Sequence, residues 1–109
     1  MIRHIRHLEV VDLLDDGVIY LNEDVGTIAL IRDSLVVFEE RWNTSQIQFI
    51  DLLLNLYPEY VEDTELIKRG FNPRTIQRKL LPSVRPGLKK MGLRILRIQG
   101  LGYQLARSK

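Results

Sequence analysis

The spacing of hydrophobic residues in this 109-residue chain changes twice, from a strand pattern to a helix pattern and back. The order of these patterns limits the folds that the chain can adopt. In residues 1–42, runs of β-branched and aliphatic residues alternate with turn residues, typical of strands joined by short turns. Asp15-Asp16-Gly17 and the segment 22–26 supply two of these turns. The pattern predicts an antiparallel meander of four strands, at His7–Leu14, Val18–Leu21, Thr27–Ile31 and Leu35–Phe38.

A helical period of three and four residues follows this strand-like part. The apolar residues that keep the period are Ile47, Ile50, Leu53, Leu54 and Tyr57. Ser45 and Gln48 are predicted to form the capping box that starts this first helix, and Pro58 ends it. A second, short helix is predicted to be capped by Asp63 and closed by Gly70.

Asn72-Pro73 marks the start of a third helix, because Asn is a favoured N-cap and Pro fits the first helical position. This helix is predicted over 73–81. Pro82 and Pro86 each remove a helical hydrogen bond, so we expect a kink or a second helical piece that reaches about Met91.

The C-terminal residues return to a strand pattern. Leu93–Ile98 forms one strand, Gly100-Leu101-Gly102 turns the chain, and Tyr103–Ala106 returns it as a hairpin. Four strands, three helices and a hairpin predict an α+β fold, a winged helix-turn-helix with an N-terminal four-stranded antiparallel sheet. We expect a single domain over 1–109, with the sheet in 1–42, the helical core in 43–92 and the wing hairpin in 93–109.

Composition narrows the class of protein. The chain is 45% hydrophobic and 28% charged, which is typical of one soluble globular domain. It contains no cysteine, which excludes a disulfide scaffold, a zinc knuckle and a thiol nucleophile. No stretch approaches the ~18 apolar residues of a membrane span, and no basic-then-apolar leader stands at the start. We therefore expect a cytoplasmic protein that does not bind membranes.

Charge is divided between two parts of the chain. Residues 1–66 contain four arginines and 14 acidic residues, whereas residues 67–109 contain 12 lysines and arginines and no acidic residue. Clustered Lys and Arg release counterions from a phosphate backbone, so the basic part predicts a surface that binds a polyanion. The alternative is a solvated surface whose two parts attract each other, and basic patches also bind membranes and acidic proteins.

The segment 95–105, ILRIQGLGYQL, resembles the wing pattern I-x-T-V-R-G-x-G-Y-R-L of the DNA-binding effector domains of OmpR/PhoB-type response regulators. Pro58-Glu59-Tyr60-Val61 resembles the P-x-x-V between that family's first two helices, and Arg74-Thr75-Ile76 resembles the R-T-V that opens its recognition helix. The resemblance extends over nearly the whole chain. It implies a winged helix that binds duplex DNA.

The chain departs from the family in four respects. The loop between the second and third helices, where the family contacts RNA polymerase, is cut to Phe71-Asn72. Pro82 and Pro86 stand where the family has an uninterrupted helix, and Gln99 occupies the position of a wing arginine. No receiver domain precedes the module in this sequence. The resemblance therefore implies DNA binding but not phosphorylation control or activation through that loop.

Candidate contact residues follow from the helical geometry. On an ideal helix, Ile76 and Leu80 share the face toward the first helix, while Arg74 and Arg78 point away from it. Arginine pairs with guanine and glutamine with adenine in the major groove, which predicts base contacts from Arg74, Thr75, Gln77, Arg78 and Arg85. The predicted phosphate and wing contacts are Thr44, Ser45, Lys79, Lys89, Lys90, Arg94, Arg97, Gln99 and Tyr103. A solvated helix face is the alternative for the first set, and capping alone for Thr44 and Ser45.

These observations predict a sequence-specific protein that binds double-stranded DNA and regulates transcription. The third helix would occupy the major groove and the wing the minor groove. One alternative is an adaptor that docks on RNA polymerase or another regulator, and another is a replication or partition protein. In the DNA-binding prediction, the acidic part of the chain would face away from DNA and be free for a partner or a second copy in a homodimer. The sequence contains no nucleophile with a paired base, no phosphate-cradling glycine loop and no set of metal ligands, so we expect no enzyme, cofactor or metal.

Overall fold

Two antiparallel sheets and three helices make up the computed structural model, an α+β fold that describes residues 5–9 and 17–108. The first sheet contains β1 Ile5–Glu9, β2 Val18–Asn22, β3 Thr27–Arg32 and β4 Leu35–Arg41. The helices are α1 Thr44–Leu56, α2 Asp63–Lys68 and α3, which runs without a break through Pro73–Thr75, Ile76–Leu80 and Leu81–Lys90. The second sheet contains β5 Val61–Glu62, β6 Leu93–Ile98 and β7 Gly102–Arg107.

The first sheet pairs its strands in chain order, β1-β2-β3-β4. Asp33 and Ser34 both have positive φ, 52° and 63°, in the two-residue turn between β3 and β4. This backbone is the type I′ turn whose twist matches that of the flanking strands. The strand predicted at His7–Leu14 overlaps β1 as far as Glu9, and the remainder of that prediction lies outside the described residues.

The first helix begins at Thr44, and its predicted capping box is wrong by two residues. Asn43 is the N-cap: its Oδ1 accepts the amide of Gln46 at 2.9 Å, and the Gln46 Oε1 accepts the amide of Asn43 at 2.8 Å. The pairing is therefore Asn43 with Gln46 and not Ser45 with Gln48. Each side chain satisfies a backbone donor that the first helical turn cannot satisfy itself.

One stripe of α1 builds the centre of the core. Four of its five predicted apolar residues are buried, Ile47, Ile50, Leu53 and Leu54, and the fifth, Tyr57, is partly buried at the end of the helix. Phe49 is also fully buried, although the periodic pattern did not include it. Its ring meets Phe71 and Tyr103 edge-on, with ring centres 5.8 and 6.0 Å apart. Aromatic pairs in this geometry gain stabilisation beyond the area that they bury.

The predicted C-terminal hairpin is present as β6 and β7, but it belongs to a sheet of three strands and not of two. Strand β7 pairs with β6 on one side and with β5 on the other, in the order β5-β7-β6. Opposite β5, Val61 faces Tyr103 and Glu62 faces Gly102. A Cβ on Gly102 would overlap the carbonyl oxygen of Val61, so only glycine permits this pairing. The turn needs glycine at Gly100, whose φ is 74°, and not at Gly102.

Both prolines are accommodated in a continuous α3. Asn72 caps the helix by accepting the amides of Arg74 and Thr75, at 2.9 and 3.2 Å. The stretch Ile76–Leu80 is π-helical, and the amide of Leu81 donates to the carbonyl of Ile76. In a regular helix the ring of Pro82 would collide with the carbonyl four residues before it, and the wider π turn relieves this crowding.

The first sheet is attached to α3 at Gly87. Trp42 is 4% exposed and donates from Nε1 to Glu40 Oε1 at 2.6 Å. A Cβ on Gly87 would lie 2.9 Å from that Glu40 oxygen, 3.0 Å from the Trp42 ring and 3.4 Å from the Phe38 ring. The helix backbone thus packs directly against the end of the sheet.

Gly102→Val tests whether β5 is part of the fold. The added side chain cannot coexist with the Val61 carbonyl, so we expect the free energy of unfolding to fall by about 1–3 kcal/mol in urea denaturation. Ala106→Val is the matched control, because it puts the same side chain on the same face of β7, away from β5. Equal stabilities of the two variants would contradict the role of the glycine.

Candidate nucleic-acid interface

The outer side of α3 presents the predicted base-contacting residues to solvent. The helix buries Ile76, Leu80, Leu81, Val84 and Leu88 on one side. The residues left exposed include the whole predicted set, Arg74, Thr75, Gln77, Arg78 and Arg85. Since α3 continues past Pro82, Arg85 is on the same helix as Arg74 and Arg78.

The start of α1 is joined to the middle of α3 by a hydrogen bond between side chains. Gln46 Nε2 donates to Ser83 Oγ at 3.0 Å, and that hydroxyl donates to the Leu80 carbonyl at 2.7 Å. Thr44 and Ser45, which immediately precede Gln46, are exposed. The bond therefore brings two predicted phosphate contacts to the flank of α3.

The second half of α3 lies against β6, and Lys89 and Arg94 add two further cations beside Arg85. A small pocket between the two elements is lined by Arg85, Lys89 and Arg94 together with apolar residues. The remaining predicted lysines, Lys79 and Lys90, are exposed along the helix. The structure thus brings the α3 cations and Arg94 onto adjoining elements.

Arg97, one of the predicted phosphate and wing contacts, forms an ion pair within the chain. Its guanidinium donates to both carboxylate oxygens of Asp63, at 2.8 and 3.0 Å, and lies 4.7 Å from the centre of the Tyr103 ring. The hydrogen bonds to Asp63 raise the pKa of Arg97, and burial opposes this slightly. Asp63 is consequently not the side-chain cap of α2, whose N-cap, Glu62, makes no such bond.

Tyr103 and Gln99, the other predicted wing contacts, differ in accessibility. Tyr103 is 2% exposed and packs against Phe49, so the chain itself covers it. Gln99 is exposed in the turn between β6 and β7. The turn between β6 and β7 therefore exposes Gln99, while Tyr103 is covered by the chain itself.

Acidic side chains line a different part of the surface. A cleft of about 950 Å³ lies between α1, α2 and the segment that joins them. Its apolar wall includes Leu52, Leu56 and Phe71, and its carboxylates come from Glu23, Asp51, Glu59, Glu62 and Glu65. Arg69 is the one cation in its lining, and it pairs with Glu65 at 2.7 Å. The opposite charges of the two chain segments thus line separate concavities.

Two residues that organise this region, Gln46 and Ser83, were not identified from the sequence, and Asp63 was identified only as a helix cap. Gln46 and Ser83 join α1 to α3, and Asp63 fixes Arg97 across a separation of 34 residues. The Asn-x-x-Gln spacing of residues 43–46 was the available signal for Gln46. Ser83 and the Asp63–Arg97 pair left no local signal, because each contact depends on the tertiary fold.

Comparisons with known proteins leave the family undetermined: no protein-family model matches the chain, and no curated protein or solved structure matches it significantly. Across residues 17–108, no helix is both long and apolar enough to cross a membrane. Within the same part, no three His, Asp or Glu side chains converge in a way that could hold a metal ion.

The Asp63–Arg97 pair should be coupled more strongly than an ordinary surface pair. A double-mutant cycle with Asp63→Asn and Arg97→Gln is expected to give about 0.5–1 kcal/mol, since the pair is bidentate but about one third exposed. The Glu65–Arg69 pair is the matched control, at one helical turn and with more exposed side chains, and should give about 0.3–0.5 kcal/mol or less. A smaller coupling for Asp63–Arg97 than for the control pair would contradict its role in holding β6 to the start of α2.

Proposed function

We propose that this protein is a sequence-specific, double-stranded DNA-binding transcription regulator of winged-helix type. In this proposal α3 is the recognition helix in the major groove, and the hairpin of β6 and β7 is the wing at the adjacent minor groove. The resemblance of residues 95–105 to the OmpR/PhoB-type wing supports the assignment of the hairpin.

One observation carries the proposal: the solvent side of α3 is cationic along its length and is continued by β6. From Arg74 to Arg94, every Lys and Arg is exposed, and this segment contains no carboxylate. Within the described chain, these cations have no carboxylate partner. Duplex DNA offers such a surface regularly spaced phosphates, and the major groove admits an α-helix.

The roles of the individual residues follow from their positions. Arg74, Thr75, Gln77, Arg78 and Arg85 would contact bases, because they lie on the exposed side of the helix. Thr44, Ser45, Lys79, Lys89, Lys90 and Arg94 would contact phosphates from the flanks, and Gln99 would approach the minor groove. Arg97 acts as the anchor that holds the wing to α2, and Tyr103 as its core support.

Salt dependence tests the phosphate-binding surface. If about five cations neutralise phosphates, affinity for duplex DNA should fall roughly 10²–10³-fold between 50 and 200 mM salt, as measured by fluorescence anisotropy. A nearly flat dependence would exclude the surface from DNA binding. Absence of any duplex binding, with tight binding to a protein, would favour the adaptor hypothesis.

Arg78→Ala and Lys90→Ala should have different effects on specificity. Selection from a random duplex pool first supplies the preferred site. Arg78→Ala is expected to cost about 1–3 kcal/mol on that site and to reduce its advantage over random DNA. Lys90→Ala should weaken binding to the preferred site and to random DNA equally, because a phosphate contact carries no sequence information. Lys68→Ala, on α2, serves as the control for loss of one charge, and unchanged base preference in Arg78→Ala would contradict the placement of α3.

A further inference from the structure

Strand β4 presents three consecutive apolar side chains to solvent. Leu35, Val36 and Val37 are 67%, 59% and 52% exposed. Elsewhere in residues 17–108, the exposed large apolar side chains stand singly in the sequence, at Val25, Leu56, Ile67 and Leu101. Single apolar residues are normal on a protein surface, whereas a contiguous apolar patch marks an interaction site.

The same residues lie at the edge of the first sheet. The strand order β1-β2-β3-β4 leaves β3 as the neighbour of β4 among the described strands. Val37 is the extra residue of a bulge, because Val36 and Phe38 pair with successive residues of β3. An edge strand presents amide and carbonyl groups with which another strand can pair, and charged side chains or proline usually protect such an edge. The segment Leu35–Phe38 contains neither.

We propose that β4 is a dimerisation edge, to which β4 of a second copy adds as an antiparallel strand and makes one continuous sheet. A two-fold axis gives both copies the same contact surface, so the edge must be complementary to itself. The apolar segment meets this condition. With the axis at Val36, Leu35 of each copy lies opposite Val37 of the other, and the two Val36 side chains lie opposite each other. Apolar cross-strand pairs of this kind stabilise a sheet.

The charges at the end of β4 select this register. An axis at Phe38 would pair more residues, but it would set Val37 opposite Glu39 and so place a carboxylate against an apolar side chain. The axis at Val36 avoids this contact. It brings Asp33 of one copy near Glu39 of the other, and both residues are exposed at the ends of the apolar segment. Salt screens their repulsion, so the dimer should be slightly more stable at high ionic strength.

The division of charge in this chain suggests a different mode of self-association, in which the cationic α3 of one copy binds the acidic cleft of the next. That contact joins two different surfaces and therefore continues into open chains of molecules. It also depends on attraction between exposed charges, so salt should dissociate it. The size of the assembly and the sign of its salt dependence thus distinguish it from pairing through β4.

Sedimentation velocity of the full chain without DNA tests the dimer. The contact is small, so we expect a reversible monomer–dimer equilibrium with a Kd of about 10–100 μM. The dimer should persist in about 0.5 M NaCl. Val36→Lys puts a charge at the centre of the edge and should weaken the dimer at least about tenfold. Ile67→Lys is the matched control, the same charge in place of a 54% exposed apolar side chain on α2, and should leave the dimer unchanged.

Three results of that measurement would overturn the proposal: a chain that is still monomeric at about 1 mM, a dimer that dissociates in salt, and an equal loss in the two lysine variants.

Single cysteines test the register, because the chain has no cysteine of its own. Opposite residues of an antiparallel pair have Cα atoms about 4.5–5.5 Å apart, which a disulfide can span. Val36→Cys should therefore cross-link two copies under mild oxidation much faster than Ile67→Cys. Amides of β4 should also become protected from hydrogen exchange as the concentration of the chain rises. Equal cross-linking rates, or amides that stay unprotected in the dimer, would exclude pairing through this edge.

The dimer has a consequence for DNA recognition, which rests on the proposed function. Two copies of α3 related by a two-fold axis should prefer an inverted repeat to a single half-site in a duplex of equal length. Val36→Lys should remove this preference, and Ile67→Lys should retain it. Dimerisation without duplex binding would leave the β4 contact standing and remove the DNA-binding function. Duplex binding by a chain that stays monomeric would do the reverse.

Discussion

The C-terminal half of the fold depends on the contacts that the ring of Tyr103 makes. One edge meets Phe49 in the centre of α1, and the guanidinium of Arg97 covers the ring. Through Arg97 the contact reaches Asp63 at the start of α2. A single side chain therefore links the helical core, the second sheet and the short helix. Aromatic packing supplies the buried area, and the cation adds an attraction that operates at the protein surface.

The second sheet follows from this arrangement. With Tyr103 fixed in the core, β7 lies beside Val61, and Gly102 provides the space in which the two backbones can pair. The amide of Asp63 also donates to the Leu101 carbonyl at 2.8 Å, so the turn between β6 and β7 is joined to the start of α2. The hairpin is therefore held on both sides and is not a free extension of the helices.

Local signals in the sequence predicted much of this fold. The buried stripe of α1, the Asn72-Pro73 start of α3 and the glycine turn at Gly100 each depend on residues close together in the chain. Strand β5 had no such signal, because its two residues are fixed by backbone pairing with a strand about 40 residues away. The continuation of α3 through Pro82 depends on a π turn that no propensity scale encodes.

The candidate site was predictable to a similar degree. Exposure of the arginine side of α3 followed from helical periodicity, since burial of Ile76 and Leu80 determines which side remains outside. The ion pair of Arg97 with Asp63 could not be predicted, because the two residues are distant in sequence. By charge, Arg97 is indistinguishable from the other cations of residues 67–109. Composition identifies where cations are abundant, but only the folded structure shows which of them are already paired.

The division of charge has a consequence for the kinetics of encounter. A net charge of only +2 gives the chain little overall attraction to a polyanion at long range. Its charges are nevertheless separated as in a dipole, with carboxylates around the α1–α2 cleft and cations on α3 and β6. A polyanion therefore exerts a torque on the approaching molecule and turns the cationic side toward itself before contact. Neutralising carboxylates far from that side would change the association rate more than the dissociation rate, because orientation is lost before any contact is made.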